Sequence, residues 1–268
     1  MKTVIKAKNA LINAAVGQLR KVVKLHHVSR IVYFLAGEYE LVQGPLSYND
    51  DGLACSMSCD CLNDELFLNS YELGKRTGSW GDSNIHWRAY VVCWAAHRAK
   101  SLEGDFVECG VNRGGYSRAV INYVDFPSLP KKFYLLDTFQ GLSADLISDA
   151  ERARGVKPGG YEECFDAVVE TFKGFNVEII RGTIPDTLDK VKTDKVCYLS
   201  IDMNCAAPEI AAAQFFWDKL VSGAVIVLDD YARGDRYYEQ RTAFDRFAAE
   251  RSVQILTLPT GQGLIFKP

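Results

Sequence analysis

Histidine is scarce in this chain: there are four among 268 residues, and all four lie before residue 98. The long stretch that follows therefore offers no imidazole as a general base. No apolar run is long enough to span a membrane. The formal net charge of −3 lacks the basic excess with which proteins bind a nucleic-acid backbone, so nucleic acid is not expected as a partner. The composition, 48% hydrophobic and 24% charged, is that of an ordinary globular protein.

The eight cysteines are spread along the chain. Because there is neither a convincing secretory signal nor the density of a small disulfide scaffold, they indicate reduced thiols and a cytoplasmic protein. Three of them lie in the cluster CSMSCDC, as Cys55, Cys59 and Cys61. Their spacing is not a standard zinc pattern and no fourth ligand is evident, so free thiols are favoured over a structural zinc site.

The first thirty residues have apolar side chains near helical spacing and lysines on the opposite side, which predicts an amphipathic helix. The apolar positions are Val4, Leu11, Ala15, Leu19 and Val22. Two roles stay open: packing on the rest of the chain or on a second subunit, and contact with an anionic membrane surface. Packing, and with it a homo-oligomer, is favoured because the apolar face is rich in alanine and has no Trp or Phe anchor.

Strands and helices alternate in the chain after residue 81. A helix is predicted in residues 82–102, with Asp82 and Ser83 as its capping residues. A first strand then ends near Cys109, and helical segments separate it and the next four strands, as in a parallel sheet covered on both faces. The strands after the first are expected at 131–137, 175–182, 195–202, 223–230, 253–259 and 263–268.

The last two strands are joined by the tight turn TGQG, which predicts an antiparallel hairpin. The expected fold class is therefore α/β, with a doubly wound, seven-stranded, mostly parallel Rossmann-like sheet that ends in this hairpin. Residues 1–80 are interpreted as a helical or loop extension, and residues 81–268 as the domain. Ligands of such sheets lie beyond the carboxyl ends of the strands, near the point where the strand order reverses.

The stretch FVECGVNRGGYS places an acid, three glycines and a serine between a strand and a helix. A dinucleotide fold requires the pattern G-x-G-x-x-G, whereas Asn112 stands here where the second glycine belongs. Close approach of a phosphate is therefore not the purpose of this turn. Glu108 would repel a phosphate but suits a cationic amino group, and Asp137, at the end of the next strand, suits a pair of ribose hydroxyls.

Four segments together, FVECGVNRGGYS, YLLDTFQGL, LSIDMN and AVIVLDDY, resemble class I S-adenosylmethionine-dependent methyltransferases of the macrocin O-methyltransferase type. The resemblance covers about residues 80–268 and implies methylation of a sugar hydroxyl with S-adenosylmethionine as the cofactor. In that family the glycine turn holds the methionine moiety and the acid of DTFQGL holds the ribose. The candidate cofactor-binding residues are Glu108, Gly110, Asn112, Gly114, Tyr116, Ser117, Asp137, Thr138, Phe139, Gly182 and Thr183.

Three carboxylates are expected at neighbouring strand ends: Asp202 after the fourth strand, and Asp229 and Asp230 after the fifth. They repel one another unless a cation lies between them, and an all-oxygen set without His or Cys suits Mg²⁺ rather than zinc. The resemblance implies the same, because family members bind magnesium through carboxylates at these positions. A bound Mg²⁺ would lower the pKa of the acceptor hydroxyl and orient it towards the methyl group.

The sequence departs from the family pattern at Asn204. Relatives commonly carry a second Asp two residues after the metal ligand, placed as the general base, and an amide cannot take a proton at neutral pH. Three alternatives stay open: acidification by the metal alone, Asp230 as the base, or a residue of the N-terminal part such as His86. His86 and His97 are predicted mainly as helix residues. The candidate catalytic residues are Asp202, Asn204 and Asp230.

Residues 141–168, between the second strand and its helix, are more than a connection requires, and we expect them to form part of the acceptor pocket or a lid. Trp80, Trp87 and Tyr231 offer flat surfaces for a sugar, although large aromatics are more often core residues. Two other functions stay open. An NAD-dependent oxidoreductase is disfavoured by the glycine spacing and the three acids, and a methyltransferase-like binding module without turnover is favoured by Asn204 alone.

Overall fold

The computed structural model of the chain describes residues 45–268. The predicted amphipathic helix of the first thirty residues lies outside the described residues, and its two roles stay predictions. Residues 50–53 and 59–268 form one compact unit. Residues 59–80, which the sequence assigns to the extension, belong to this unit, and the domain division at residue 80 stays a prediction. Within residues 45–268, no helix combines the length and the apolar character needed to cross a membrane.

Two sheets and a series of helices make up the described residues. The first sheet is short and two-stranded, with β1 (Tyr48–Asp50) and β2 (Leu53–Cys55). The main sheet comprises β3 (Asp105–Cys109), β4 (Phe133–Asp137), β5 (Val177–Arg181), β6 (Val196–Ile201), β7 (Leu220–Leu228), β8 (Leu256–Thr257) and β9 (Gly263–Phe266). The α-helices are α1 (Glu65–Lys75), α2 (His86–Ala99), α3 (Gly115–Tyr123), α4 (Asp149–Ala153), α5 (Phe165–Phe172), α6 (Ala206–Trp217) and α7 (Tyr238–Glu250). Short 3₁₀ turns lie at Asp60–Asn63, Phe126–Ser128, Ala144–Leu146, Leu188–Lys190 and Asp235–Tyr237.

The main sheet has the strand order β5-β4-β3-β6-β7-β9-β8. The strands from β3 to β7 pair in parallel, and β9 pairs antiparallel with both β7 and β8. This confirms the predicted seven-stranded, mostly parallel sheet with a C-terminal antiparallel hairpin. The strand order reverses between β3 and β6, and doubly wound sheets bind their ligands at such a point.

Alternate side chains of each central strand face two different hydrophobic cores. In β3, for example, Phe106 packs in one core, while Val107 and Cys109 pack in the other. The first core contains residues of α1, α2, α3 and α5, and the second contains residues of α6 and α7. Because both faces are covered, the strands read as continuous apolar runs, and each large side chain buried there contributes about 1.5–3 kcal/mol.

Helix α1 packs closely on the start of α3 because small residues face each other there. A Cβ atom on Gly74 would lie 2.5 Å from the carbonyl oxygen of Gly115, and one on Gly115 would lie 2.8 Å from the ring of Trp80. Larger residues at these positions would separate the elements. The close contact places Ser79 and Trp80 directly over the glycine turn that follows β3.

Helix α2 begins at His86, and the prediction that Asp82 and Ser83 cap it is wrong. Its capping position is Ile85, whose side chain makes no capping hydrogen bond. The amide of Ile85 instead donates to the hydroxyl of Tyr71 at 3.0 Å. A contact with a residue of α1 therefore overrides the local capping signal, since the residues before Ile85 are used in turns.

Candidate active site

A cleft with a volume of about 330 Å³ opens at the carboxyl ends of β3, β4, β6 and β7. The predicted site residues that line it are Glu108, Gly110, Asn112, Tyr116, Asp137, Thr138, Phe139, Gly182, Thr183, Asp202, Asn204, Asp229 and Asp230. Gly114 and Ser117, two further predicted cofactor residues, do not line the cleft, and their contact with the cofactor stays a prediction. Gly114 is the capping residue before α3, with a φ of 85°, and faces the ring of Phe172. Ser117 lies buried behind Glu108.

Gly110 joins the glycine turn to the loop after β6. Its φ is 90°, and a Cβ atom at this position would lie 1.8 Å from the carbonyl oxygen of Asp202. No residue with a side chain fits there without moving the backbone. Asn112 also has a left-handed φ, of 50°, and its side-chain amide donates to the carbonyl of Ser79 at 3.3 Å. The turn is thus shaped by its contacts with two neighbouring segments.

Asp137 holds the glycine turn through main-chain hydrogen bonds. Its Oδ2 accepts from the amides of Val111 at 2.6 Å and Asn112 at 2.7 Å. Its Oδ1 accepts from the amide of Phe139 at 2.7 Å. The hydroxyl of Thr138 lies 3.3 Å from the same oxygen but donates its proton to the carbonyl of Gly141 at 2.7 Å. The carboxylate therefore accepts three main-chain hydrogen bonds, which leaves acceptor capacity for a ribose hydroxyl. Its predicted role as the ribose acceptor stays a prediction.

Glu108 lies at the floor of the cleft and is 1% exposed. Burial raises its pKa to about 8, although the hydroxyl of Ser117, which donates to Glu108, lowers it. The side chain is therefore mostly protonated at neutral pH when no cation faces it. A cationic amino group placed opposite would favour the ionised form.

Asp202, Asp229 and Asp230 come together at the ends of β6 and β7, with one oxygen of each lying within 4.8 Å of the others. Among residues 45–268, this acid cluster is the one set of three or more His, Cys, Asp or Glu side chains close enough together to hold a metal ion. Cys55, Cys59 and Cys61 make no such group among these residues and form no disulfide there, and the choice of reduced thiols over a structural zinc site stays a prediction.

The orientation of Asp229 is set by three side chains. Its Oδ1 accepts from the hydroxyl of Tyr116 at 3.0 Å and from the amide of Gln262 at 2.9 Å. Its Oδ2 pairs with the guanidinium of Arg88. Burial and the neighbouring Asp229 raise the pKa of Asp230 to about 7, and burial together with both aspartates holds the pKa of Asp202 well above its usual range.

Asn204 contacts the acid cluster from the loop after β6. Its side-chain amide donates to Oδ1 of Asp202 at 3.2 Å, and its own oxygen accepts from the hydroxyl of Tyr237 at 3.3 Å. The buried Glu209 holds the same loop by accepting from the amide of Met203 at 3.0 Å. Asn204 is therefore placed to orient Asp202.

Residues 141–168 form the wall of the cleft beside the acid cluster. A bridge between Leu142 and Gly159 closes the segment, and Tyr161 lines the cleft. The buried Glu151 joins the segment to the active site, because it accepts at 2.7 Å from the amide of Ala206, the first residue of α6. Burial, with Asp202 and Asp230 nearby, raises the pKa of Tyr161 to about 12. The acceptor role of this segment stays a prediction.

Two of the three aromatic side chains proposed as flat surfaces for a sugar lie away from the cleft. Trp80 lines it and packs against Tyr116 with 5.7 Å between ring centroids. Trp87 and Tyr231 do not line it, and the hydroxyl of Tyr231 donates to Asp245. His86 does not line it either. Its ring stacks on Tyr71 at 4.0 Å, which removes it as a candidate base.

Several side chains of the site are not predicted from the sequence. They are Ser79, Arg88, Tyr161, Arg233 and Tyr237, which line the cleft, and Gln262, which binds Asp229. None of them belongs to a local motif. Apart from Arg233, which follows Asp230 by three residues, they come from segments distant in the sequence from the residues that they contact, and no pattern in the sequence signals such contacts.

A protein-family model described as macrocin-O-methyltransferase (TylF) matches residues 88–257, more than half of the chain. The chain belongs to this family. The resemblance of the four sequence segments is confirmed, and the methyltransferase is an S-adenosylmethionine-dependent O-methyltransferase. The alternative of an NAD-dependent oxidoreductase is therefore wrong. A search of curated protein sequences gave no match.

Solved structures with the same fold are distant in sequence from this methyltransferase. The O-methyltransferase NovP is 19% identical with a TM-score of 0.57, over 67% of this chain and 79% of NovP. The calicheamicin methyltransferase CalS11 is 13% identical with a TM-score of 0.55, over 85% of this chain and 99% of CalS11. A putative O-methyltransferase from Klebsiella pneumoniae is 13% identical with a TM-score of 0.52, over 76% of this chain and 90% of that chain. At these identities the likeness shows the fold alone.

Proposed function

We propose that the chain is a Mg²⁺-assisted O-methyltransferase that transfers the methyl group of S-adenosylmethionine to a hydroxyl of a sugar, a glycan or a glycosylated small molecule. The observation that carries the proposal is the acid cluster of Asp202, Asp229 and Asp230, which lines the same cleft as the glycine turn. CalS11, which has a similar fold, is described as a TDP-rhamnose 3′-O-methyltransferase. That description supports a sugar hydroxyl as the acceptor.

The acid cluster fits a magnesium ion by its donor chemistry. All three ligand candidates are carboxylates, which suit hard cations such as Mg²⁺. Burial, and after it the neighbouring carboxylates, raise the pKa values of Asp202 and Asp230. A cation between the three carboxylates would favour their ionised forms. Tyr116 and Gln262 hold Asp229 by hydrogen bonds, as outer residues of metal sites commonly hold the ligands.

The cofactor is proposed to bind over the glycine turn. Glu108 faces the cleft from its floor, where its carboxylate would pair with the amino group of the methionine moiety. Asp137 keeps Val111 and Asn112 in place, so that the turn is preorganised before the cofactor binds. Trp80, over the turn, would cover the bound cofactor and exclude water.

The acceptor is proposed to lie between the glycine turn and the wall formed by residues 141–168. A divalent cation on the acid cluster would lower the pKa of an acceptor hydroxyl. Asp230 is the proposed base, because a carboxylate beside the acceptor can take a proton, which the amide of Asn204 cannot do. Asn204 holds Asp202, and Tyr161 and Tyr237 line the acceptor side of the cleft.

The experiment is a mass-spectrometric screen of nucleotide sugars and glycosides with S-adenosylmethionine that carries a deuterated methyl group. We expect a labelled product with at least one sugar in the presence of MgCl₂ and none in excess EDTA. The affinity for S-adenosylhomocysteine, measured by calorimetry, is expected to change less than about two-fold when EDTA is added, since the cofactor contacts do not involve the metal.

Two variants complete the test. Asp229→Asn and Asp230→Asn are each expected to lower the rate by about 100-fold or more, and the double variant is expected to be little slower, because groups that act as a unit are not additive. Full activity in excess EDTA would contradict the metal site. Methyl transfer to non-sugar hydroxyls only would contradict the acceptor class and leave the metal site standing.

A further inference from the structure

Two arginines lie beside the acid cluster, and one carboxylate from a distant segment holds both. Arg88, in the first turn of α2, pairs with Asp229, and its Nε also contacts Oδ2 of Asp51 at 2.8 Å. Arg233 lies 3.4 Å from Asp230 through its Nε, and its two terminal nitrogens contact Asp51 at 3.1 and 3.2 Å. Asp51 therefore bridges the two guanidinium groups that pair with the acid cluster.

These ion pairs are largely shielded from water. The side chains of Asp51, Arg88 and Arg233 are 14%, 15% and 25% exposed, and those of Asp229 and Asp230 are 2% and 5% exposed. Exposed ion pairs contribute little because water and salt screen them, whereas buried pairs keep most of their attraction. The loss of one charge in this network therefore changes the electrostatic potential at the acid cluster.

Asp51 is held at this position by a tight turn between β1 and β2. Asp51 has a φ of 53° and Gly52 a φ of 77°, so both residues of the turn are left-handed, as in two-residue Asp-Gly hairpin turns. Nothing lies within 4 Å of a Cβ placed on Gly52, whereas the side chain of Asp51 contacts both arginines. Asp51 also lies outside residues 88–257, the part of the chain that matches the family.

The formal charges of the network leave room for one divalent cation. Asp51 and the three aspartates of the acid cluster carry four negative charges, and Arg88 and Arg233 carry two positive ones. Two negative charges remain, which is the charge that a divalent cation neutralises. Without Asp51 only one would remain, although Asp51 itself is not among the three residues of the acid cluster.

We propose that Asp51 is a positioning residue of the active site: by holding Arg88 and Arg233 it offsets their positive charge beside Asp229 and Asp230, and so sets the affinity of the acid cluster for a divalent cation. This rests on the metal site of the proposed function. The turn at residues 50–53 is then part of the active site, although it precedes the family domain in the sequence.

The test is calorimetric titration of the full chain with MgCl₂ and with MnCl₂, without cofactor or acceptor. Asp51→Asn removes a negative charge a few ångströms beyond the arginines, and we expect cation binding to weaken about ten-fold. Arg233→Gln removes a positive charge beside Asp230, and we expect binding to tighten about five-fold. Asp51→Glu keeps the charge and is expected to restore the affinity to within about three-fold of the original chain.

A matched control is Glu162→Gln. Glu162 pairs with Arg113 at 3.0 Å but is 88% exposed and does not line the cleft, so the loss of its charge is expected to leave cation affinity unchanged. S-adenosylhomocysteine affinity is the second readout. It is expected to change less than about two-fold in Asp51→Asn and Arg233→Gln, because neither side chain touches Glu108 or Asp137.

The outcomes separate this proposal from the proposed function. An original chain that transfers methyl groups but binds neither cation contradicts the metal site, and the role of Asp51 with it. If a folded Asp51→Asn variant binds cations as tightly as the original chain, the role of Asp51 is contradicted and the metal site is not. Where Asp51→Asn does not fold, Arg233→Gln decides: tighter cation binding supports the proposal, and unchanged or weaker binding overturns it.

Discussion

The glycine turn after β3 and the acid cluster after β6 and β7 share one cleft but are held together in different ways. The glycine turn is held mainly through its own main-chain amides. Those of Val111 and Asn112 donate to the carboxylate of Asp137, which lies 26 and 25 residues further along the chain. The acid cluster is held by side chains from distant segments, since Arg88 and Asp229 are 141 residues apart and Asp51 and Arg233 are 182 apart.

The two regions also differ in charge. At the glycine turn, burial raises the pKa of Glu108 to about 8, so this carboxyl is mostly neutral until a cation arrives. At the acid cluster, Arg88 and Arg233 partly neutralise the carboxylates through ion pairs. The cofactor side thus depends on local backbone geometry, and the acid side depends on the tertiary arrangement of charges.

The largest effect is expected at Gly110, where the two regions touch. Gly110→Ala would place a Cβ 1.8 Å from the carbonyl oxygen of Asp202, and we expect it to lower the free energy of unfolding by about 4 kcal/mol or to prevent folding. Gly159→Ala is the matched control. Gly159 has a φ of 71° but no atom within 4 Å of its Cβ position. Gly159→Ala is therefore expected to lower the free energy of unfolding only by the strain of a left-handed alanine, about 1 kcal/mol. Urea denaturation of both variants measures the difference, and equal losses would contradict the close contact.

The next effect concerns the cofactor side alone. Asp137→Asn puts a donor or a weaker acceptor opposite the amides of Val111 and Asn112, and we expect S-adenosylhomocysteine to bind about 1.5–3 kcal/mol more weakly. If Asp137 acts by holding the turn, the free energy of unfolding of the ligand-free chain falls as well. If it acts only on the ribose, unfolding is unchanged and affinity alone falls. Calorimetry and denaturation together distinguish the two roles, and unchanged affinity would remove Asp137 from the site.

A third prediction uses pH on the same side. The pKa of Glu108 rises on folding from about 4.5 to about 8, so the folded chain binds this proton more tightly than the unfolded chain. Its contribution to stability is fully present below pH 4.5 and is lost as the pH rises through 8. Between pH 5.5 and 7.5, the stability of the original chain is therefore expected to fall relative to Glu108→Gln, by up to about 1.4 kcal/mol per pH unit. Parallel pH profiles of the two proteins in denaturant would show instead that Glu108 ionises normally.

The smallest effect is expected at the outer surface of the acid side. Arg154 pairs with Asp235 at 2.7 Å, but Asp235 is 86% exposed, so Arg154→Ala is expected to lower the free energy of unfolding by less than about 1 kcal/mol. Three residues earlier, the buried carboxylate of Glu151 accepts a hydrogen bond from the amide of Ala206. Glu151→Gln is expected to lower the free energy of unfolding by about 2 kcal/mol. Thermal unfolding ranks the two variants, and a larger loss for Arg154→Ala would mean that the surface pair, rather than Glu151, attaches residues 141–168.

The sequence predicted most of the fold because the fold depends on local and periodic signals. Apolar runs marked the strands, and the tight turn before Gly263 marked the hairpin, and both agree with the structure. The start of α2 was wrong, because a hydrogen bond from Ile85 to Tyr71 overrides the capping signal of Asp82 and Ser83. Local propensity fails where a tertiary contact is stronger.

The sequence by itself also determined the residues at the strand ends, since parallel strands bring their carboxyl ends to one edge. Asp202, Asp229 and Asp230 could be placed together for that reason. Only the tertiary structure decided what surrounds them: Arg88 and Arg233 joined by Asp51, and Asn204 hydrogen-bonded to Asp202. Ion pairs such as those of Asp51 with Arg88 and Arg233, which lie 37 and 182 residues away, leave no periodic or local trace in a sequence, because their geometry exists only once the chain has folded.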